Sequence, residues 1–274
     1  MKTGSCISAK GSVVMAGVLT ILGSAIAAPK PAHAIALLAG EAVSVQSTFG
    51  ANDEGWTSIG FPQPSAINNP ATPSRTNAVT YVPNGGPTGA GDGFLRVNEL
   101  QAEQQAGATG GLDYYHAPSR FLGNQLASLG HRLVWNSRAN QAYLDRNADV
   151  VISDGTLVLA GNASAFAQSA TAWSEQAITF FADSIDLTWT IAASTIDGGF
   201  AVGTVAASAA QLETVLSNLT DLLIGIDASG KSDMDFDNPT LTRAVPEPSL
   251  PALLLLGAFG LGIARRIPRL PGRD

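Results

Sequence analysis

The alternation of apolar and polar residues with a period of two limits the fold of this chain more than any other feature. It is clearest in residues 186–191, where Leu187, Trp189 and Ile191 alternate with aspartate and threonine. Successive side chains of a strand point to opposite faces of a sheet, so the pattern predicts a strand whose three apolar residues face the core. Similar alternation or short β-forming runs occur in residues 78–82, 95–98, 132–136, 150–153, 156–160, 177–181 and 222–227.

Turn signals separate these segments and indicate the fold class. They are residues 84–86, 91–93, 154–155 and 197–199, each of which joins glycine to asparagine or aspartate. At least eight strands with such turns predict an all-β chain, an antiparallel β-sandwich of the jelly-roll kind rather than a parallel α/β sheet. The composition agrees, because only 14% of the residues are charged while 29 are glycine and 15 are proline. Such a composition is typical of an exported all-β protein.

One short helix is predicted in addition to the strands. Ser208 followed three residues later by Gln211 is a capping-box pattern. Leu212, Val215 and Leu216 then fall at helical spacing. We expect this apolar stripe to close one end of the sandwich and to pack in its core.

The first 34 residues have the pattern of a secretory signal peptide. Two lysines precede or border an uncharged apolar run over residues 11–27, and two small-residue cleavage patterns end at Ala27 and Ala34. We favour cleavage after Ala34, because the prolines before it would present an extended segment to signal peptidase. An uncleaved anchor is the alternative. Cys6 is the single cysteine and would be removed with residues 1–34, so the mature chain would have no thiol for a disulfide or a metal.

A proline-rich spacer, a short apolar run and a basic cluster follow one another at the C-terminus. The spacer contains Pro246-Glu247-Pro248, the apolar run covers residues 250–264, and Arg265 and Arg266 follow it. As a helix the run would be roughly 22 Å long, whereas a comfortable membrane span needs about 20 residues. It therefore predicts transient insertion, with the arginines as a membrane stop on the cytoplasmic side. A permanent C-terminal anchor is the alternative.

In this order the three C-terminal features resemble the PEP-CTERM sorting signal of Gram-negative bacteria. The resemblance covers residues 245–274 and implies processing at Pro246-Glu247-Pro248 by a membrane protease, an exosortase. It also implies a host that makes exopolysaccharide. Together with the signal peptide it predicts an exported protein that is transiently held in the inner membrane and then sorted to the cell surface.

The middle of the chain is predicted to consist of a linker, residues 35–45, and one sandwich domain, residues 46–244. A series of short motifs runs through that domain: Phe49 with Glu54-Gly55-Trp56, Gly91-Asp92-Gly93-Phe94-Leu95, Ala117-Pro118, Phe121-Leu122-Gly123-Asn124, Leu133-Val134-Trp135, Val215-Leu216-Ser217-Asn218-Leu219 and Asp237-Asn238. Their order resembles the laminin B (domain IV) module. The resemblance implies a jelly roll related in shape to galactose-binding and carbohydrate-binding modules.

Closely spaced carboxylates in residues 233–238 form a candidate metal site. Ca²⁺ takes six to eight oxygen ligands, which carboxylates and carbonyl groups supply. The spacing begins like an EF-hand loop, but Asn238 stands where that loop needs glycine and Ala244 where it needs glutamate, so an EF-hand is rejected. The family resemblance implies instead that Glu54 and Asp237 hold a structural Ca²⁺. A solvated acidic turn is the alternative.

Charge and motifs narrow the function. The formal net charge is −7 and the middle of the chain has no cluster of lysine and arginine, which excludes nucleic acid as a partner. The common catalytic motifs are missing from the sequence, and His116 and His131 have no partner motif, so we predict that the chain is not an enzyme. A secreted hydrolase stays open as an alternative, because glycoside hydrolysis needs only two acids close in space.

Two non-catalytic functions then compete. The first is an adhesive or extracellular-matrix role at the cell surface. The alternative is binding of exopolysaccharide, with Tyr114, Tyr115 or Trp56 as the aromatic surface on which a sugar ring stacks.

Overall fold

The computed structural model describes most of the predicted sandwich domain. The described residues are 35–62, 75–77, 79–98, 111–139, 148–163, 172–182, 188–194, 200–201, 203–225 and 233–245. The predicted signal peptide with Ala34, and the tail with Pro246-Glu247-Pro248, Arg265 and Arg266, lie outside them. Within the described ranges no helix is both long enough and apolar enough to cross a membrane.

The described part of the chain is almost entirely β-structure, as the sequence predicts. It has fifteen strands, one α-helix and two short 3₁₀ helices. In chain order these are β1 (Glu41–Gln46), β2 (Thr57–Pro62), β3 (Arg75–Asn77), β4 (Thr80–Val82), β5 (Phe94–Asn98), β6 (Gly111–His116), the 3₁₀ helices Ser119–Phe121 and Leu126–Ser128, β7 (Arg132–Ala139), β8 (Val150–Ser153), β9 (Val158–Gly161), β10 (Ser174–Thr179), β11 (Trp189–Ile191), β12 (Ala193–Ser194), β13 (Phe200–Ala201), α1 (Ala209–Ser217), β14 (Asp221–Gly225) and β15 (Asp233–Ala244).

Two antiparallel sheets pack face to face and form a β-sandwich. Sheet A has the strand order β10-β7-β15-β5-β4, and β1 also pairs with β15. Sheet B has the order β11-β9-β8-β14-β6-β2-β3, while β12 and β13 form a separate two-stranded ribbon. Strand β1 begins within the segment predicted to be a linker, residues 35–45, and ends at Gln46, the first residue of the predicted domain.

The inner faces of the two sheets form one hydrophobic core. In sheet A, Leu95 and Val97 of β5 and Leu133 and Trp135 of β7 are all buried in the core, as predicted. Val134 and Asn136, on the other face of β7, are buried too. Inner-face residues of β6, β8 and β14 meet the core residues of sheet A from sheet B. A strand with one apolar face packs that face against the opposite sheet, so the period of two is sufficient to place these residues.

Strand β11 follows its predicted alternation only in part. Trp189 is fully buried, but Ile191 is 36% exposed although it was expected on the same inner face. Thr190, expected to face solvent, is buried instead, and its Oγ1 accepts a hydrogen bond of 2.7 Å from the backbone N–H of Gly203. The segment around Gly203 therefore covers the face of β11 on which Thr190 lies, and this face is not solvated as predicted.

The acidic stretch 233–238 is not a solvated turn. It is the first half of β15, a twelve-residue strand in the interior of sheet A. Asp235 is buried on this strand because Arg96 of β5 and Arg138 of β7 donate hydrogen bonds to its carboxylate from either side, at 2.6–2.9 Å. Pro239 is tolerated because the pairing with β7 shifts register between Asp237 and Thr240.

Helix α1 confirms the predicted capping box. The backbone N–H of Gln211 donates to Ser208 Oγ at 3.2 Å, and the backbone N–H of Ser208 donates to Gln211 Oε1 at 2.9 Å. Leu212, Val215 and Leu216 are buried in the core of the sandwich, as the apolar stripe predicts.

Candidate functional site

Asp237 is a buried carboxylate with an unusual environment. It lies on β15, has no exposed surface, and none of the described cationic side chains pairs with it. Its oxygens accept hydrogen bonds from the backbone N–H of Asn238 at 2.7 Å and from Asn238 Nδ2 at 3.1 Å. The pKa of Asp237 is raised to about 8, first by burial, then by the charge of Asp92 and less strongly by that of Glu54. The ionised form of Asp237 is therefore disfavoured unless a cation is present.

Asp92 is the second carboxylate of this site. It lies in the turn between β4 and β5, where its Oδ2 accepts the N–H of Thr88 at 2.8 Å. A β-carbon at Gly86 would lie 2.6 Å from Asp92 Oδ2 and 3.0 Å from Asp237 Oδ2. The first distance is too short for a real side chain and the second is tight, so glycine at position 86 leaves the space beside the two carboxylates open.

Glu54 is near enough for its charge to raise the pKa of Asp237, but its carboxylate is already engaged. Oε1 accepts the backbone N–H groups of Thr48 at 3.1 Å and Phe49 at 2.8 Å. Oε2 pairs with the guanidinium of Arg120 at 2.5 Å. Binding of a metal ion directly by Glu54 would require these bonds to break, so the structure favours Asp92 over Glu54 as the partner of Asp237.

Backbone strain concentrates around the same site. The described residues include three non-glycine residues with positive φ, namely Phe49 at 43°, Glu54 at 50° and Asn238 at 53°. Each such conformation costs of the order of 1–3 kcal/mol and persists only where surrounding contacts impose it. Two of them lie beside Asp237, because Asn238 follows it directly and the charge of Glu54 raises its pKa. Such clustering is typical of a functional site.

The donor set fits a hard cation if main-chain oxygens take part. Within the described residues, no three His, Cys, Asp or Glu side chains are grouped as a metal site. The carbonyl oxygen of Phe49 lies beside the Asp92 turn, since a β-carbon at Gly93 would be only 2.3 Å from it. Ca²⁺ commonly combines two carboxylates with carbonyl oxygens and water. Asp92 and Asp237 therefore form the candidate metal site, and the Phe49 carbonyl beside Gly93 is a further oxygen near the Asp92 turn.

The aromatic residues predicted to bind sugar are all buried. Tyr115 faces the core, where its ring stacks on Phe236 with centroids 4.4 Å apart and its hydroxyl donates to the Met234 carbonyl at 2.8 Å. Tyr114 is 1% exposed and packs in a second cluster with Ile59 and Leu223 on the other face of sheet B. Neither ring offers the open face that stacking needs, so the structure does not support this role for them.

Trp56 is also an interior residue. It is 1% exposed, and its Nε1 donates to Ser47 Oγ at 2.8 Å. Its ring meets those of Phe121 and Phe236 edge to face at 5.1 and 5.0 Å. Trp56 was predicted as one of the aromatic residues on which a sugar ring stacks, but β2 starts directly after it and its ring is buried against both sheets.

Sequence reasoning missed Asp92 as a site residue. Its neighbours Gly91 and Gly93 marked a turn, and the turn is present. The useful signal was the aspartate between two glycines, because Gly93 allows the Phe49 carbonyl to approach the backbone next to Asp92.

The two antiparallel sheets form a β-sandwich of the jelly-roll type. Comparison with known proteins assigns its family. The family described as Laminin B (Domain IV) matches residues 114–254, about half of the chain. The chain therefore belongs to the laminin B (domain IV) family. No curated protein matches it.

Solved structures with similar folds include three proteins of low sequence identity. The L4b domain of human laminin alpha-2 has a TM-score of 0.49 at 12% identity, over 74% of this chain and 98% of that one. An exo-beta-agarase has a TM-score of 0.38 at 10% identity, over 70% of this chain and 26% of that one. A putative sugar binding protein from Bacteroides thetaiotaomicron has a TM-score of 0.34 at 7% identity, over 73% of this chain and 92% of that one.

Proposed function

We propose that this chain is an exported, non-catalytic surface protein whose sandwich has an adhesive or extracellular-matrix role. Membership of the laminin B (domain IV) family is the observation that carries the proposal. The sequence adds a route to the surface, since residues 1–34 have the pattern of a signal peptide and residues 245–274 that of an exosortase-processed tail. Signal peptidase and an exosortase would then act on the chain before it reaches its final place.

The acidic site supports a structural rather than a catalytic role. Two carboxylates with one raised pKa are also what a glycoside hydrolase uses, so Asp92 and Asp237 need to be tested against that alternative. A catalytic acid must touch its substrate, but Asp237 has no exposed surface. A small cation reaches such a site during folding, whereas a sugar cannot.

We propose that Ca²⁺ binds between Asp92 and Asp237. Its charge would neutralise the two carboxylates, and the coordination would hold the Asp92 turn against β15. In this way bound Ca²⁺ would stabilise the domain outside the cell, where that ion is abundant.

The sorting route is tested by changing Pro246-Glu247-Pro248 to three alanines in the producing strain. We expect the full-length form to stay in the inner membrane and attachment of the cells to surfaces to fall to the level of a deletion strain. Fractionation with mass measurement of the released protein checks the first result, and an attachment assay checks the second.

A matched control keeps the motif and changes an exposed residue just before it, Arg243→Ala. This variant should be processed and released as the parent is. If the triple-alanine variant is released with the same mass as the parent, the proposed processing is wrong. If processing fails while attachment stays unchanged, the adhesive role is wrong and the sorting route stands.

A further inference from the structure

A cavity of about 420 Å³ lies where the open edge of sheet A meets sheet B. Strand β10 is the edge of sheet A in the described part of the chain, and β9 and β11 approach it from sheet B. The two sheets are joined here by a hydrogen bond of 2.8 Å from Trp189 Nε1 to the carbonyl of Thr179. The walls of this seam cavity include Arg132, Asn162, Ile178, Thr179, Phe181 and Thr188.

Phe181 places an aromatic ring at the mouth of the seam cavity. It is 56% exposed, and no other aromatic residue appears among the large hydrophobic residues that the described structure leaves exposed. Exposed apolar surface beside a cavity is typical of a ligand site. The electron-rich face of an aromatic ring packs well against the C–H groups of a flat sugar face.

Short polar side chains line the cavity behind this ring. The hydroxyl groups of Thr179 and Thr188 and the amide of Asn162 can each hydrogen-bond to sugar hydroxyls. Asn162 Oδ1 is buried and has no hydrogen-bond partner in the described structure. A buried acceptor without a partner costs free energy, and a hydroxyl donor entering the cavity would remove that cost after a small rotation of the amide.

Charge indicates which kind of sugar fits. Arg132 is the cation in the cavity wall, but it already donates hydrogen bonds to the Glu41 carboxylate, from Nη2 at 2.7 Å and from Nε at 3.1 Å. This hydrogen bond lowers the pKa of Glu41 to about 2, so the pair stays ionised and its charges cancel. None of the described residues that line the cavity is an acid, and the chain has a formal net charge of −7, so a neutral sugar is favoured over a uronate.

We propose that the seam cavity binds neutral hexose units of an extracellular polysaccharide. Phe181 stacks on one sugar face, while Asn162 and the two threonines hydrogen-bond to its hydroxyls. The inference rests on the proposed surface role and gives the adhesive domain a ligand class. It also moves the predicted sugar site from the buried Tyr114 and Tyr115 to the edge of the sandwich.

The test uses the purified full-length chain on an array of gluco-, galacto- and manno-configured oligosaccharides together with uronate oligosaccharides. Neutral oligosaccharides that bind are then titrated calorimetrically. Phe181→Ala should weaken binding about tenfold or more. Phe181→Tyr should keep most of the parent's affinity, because the ring is retained. Asn162→Ala should weaken binding without changing its preference for neutral sugars.

Val205→Ala is the matched control, because Val205 is 58% exposed and lies outside the cavity wall. It should bind sugar with the parent's affinity, and every variant should have the same melting temperature as the parent. Binding of uronates alone, equal binding by Phe181→Ala, or no binding to any sugar overturns the inference. None of these results affects the sorting experiment. A failure of the sugar-binding inference is therefore distinguishable from a failure of the proposed surface role.

Discussion

Trp56 and Trp189 are the two residues whose truncation tests the core most directly. Trp189 stacks on Phe180 with centroids 5.6 Å apart, and both tryptophans donate their Nε1 hydrogen within the protein. Replacing either with alanine should cost about 3–5 kcal/mol, because a large cavity forms and a buried acceptor loses its donor. Urea unfolding of each variant measures the loss.

Phe181→Ala is the control for that measurement. Its ring is mostly exposed, so the free energy of unfolding should change by only about 0.5 kcal/mol. If Trp56→Ala unfolds like this control, Trp56 is a surface residue after all and its position in the fold is wrong.

The two tryptophans also show how far local sequence predicts a residue's environment. Trp189 was placed in the core by its alternation with Thr188 and Thr190. Trp56 follows a turn signal, Glu54-Gly55, and its burial depends on Phe121 and Phe236, far away in sequence. No pattern within a window of ten residues carries such contacts.

Helix α1 offers a test at the scale of one element. Ser208→Ala should lower the free energy of unfolding by about 1 kcal/mol, because the N–H of Gln211 loses its acceptor. Ser208→Gly should cost only a few tenths of a kcal/mol, since glycine is a good N-cap in its own right. Urea titration of both variants compares them. Equal stability of the alanine variant and the parent would show that the cap is not needed.

Strands whose apolar residues form a clear local pattern were predicted well, and a strand whose acidic residues are paired with neighbouring strands was not. Strands β5 and β7 were found by alternation, and β8 was found as a short apolar run with its bounds correct. Strand β15 was mistaken for an acidic turn because its charges are satisfied from neighbouring strands, as Asp235 is by Arg96 and Arg138. The pattern of residues along one strand does not show which side chains lie beside it on the neighbouring strands. Asp92 was not predicted as a candidate site residue, because its position beside Asp237 joins a turn to a strand that is distant in sequence.

At the scale of the whole molecule, Ca²⁺ should set the stability of the sandwich. An ion that binds only the folded state at about 100 times its dissociation constant adds about 2.7 kcal/mol. The melting temperature should therefore rise with Ca²⁺ and fall with a chelator. Asp92→Asn should weaken the response, whereas Glu213→Gln, an exposed acid on helix α1, should leave it intact. A melting curve indifferent to chelator in the parent would reject the site.

The pH dependence of Asp237 separates an ion site from a merely strained carboxylate. Without metal its folded pKa is about 8, above the unfolded value of about 3.9, so the folded state binds the proton more tightly. Its contribution to stability is then full below pH 4 and is lost as the pH rises towards 8. Asp237→Asn removes the titrating charge but keeps the shape and the acceptor for the N–H of Asn238. In chelator at pH 8 this variant should melt above the parent, and in saturating Ca²⁺ it should melt below it. Melting curves at pH 4 and pH 8, with and without Ca²⁺, show whether the order of the two melting temperatures reverses. If the variant melts below the parent under all four conditions, Asp237 stabilises the fold through its own hydrogen bonds and no ion is needed.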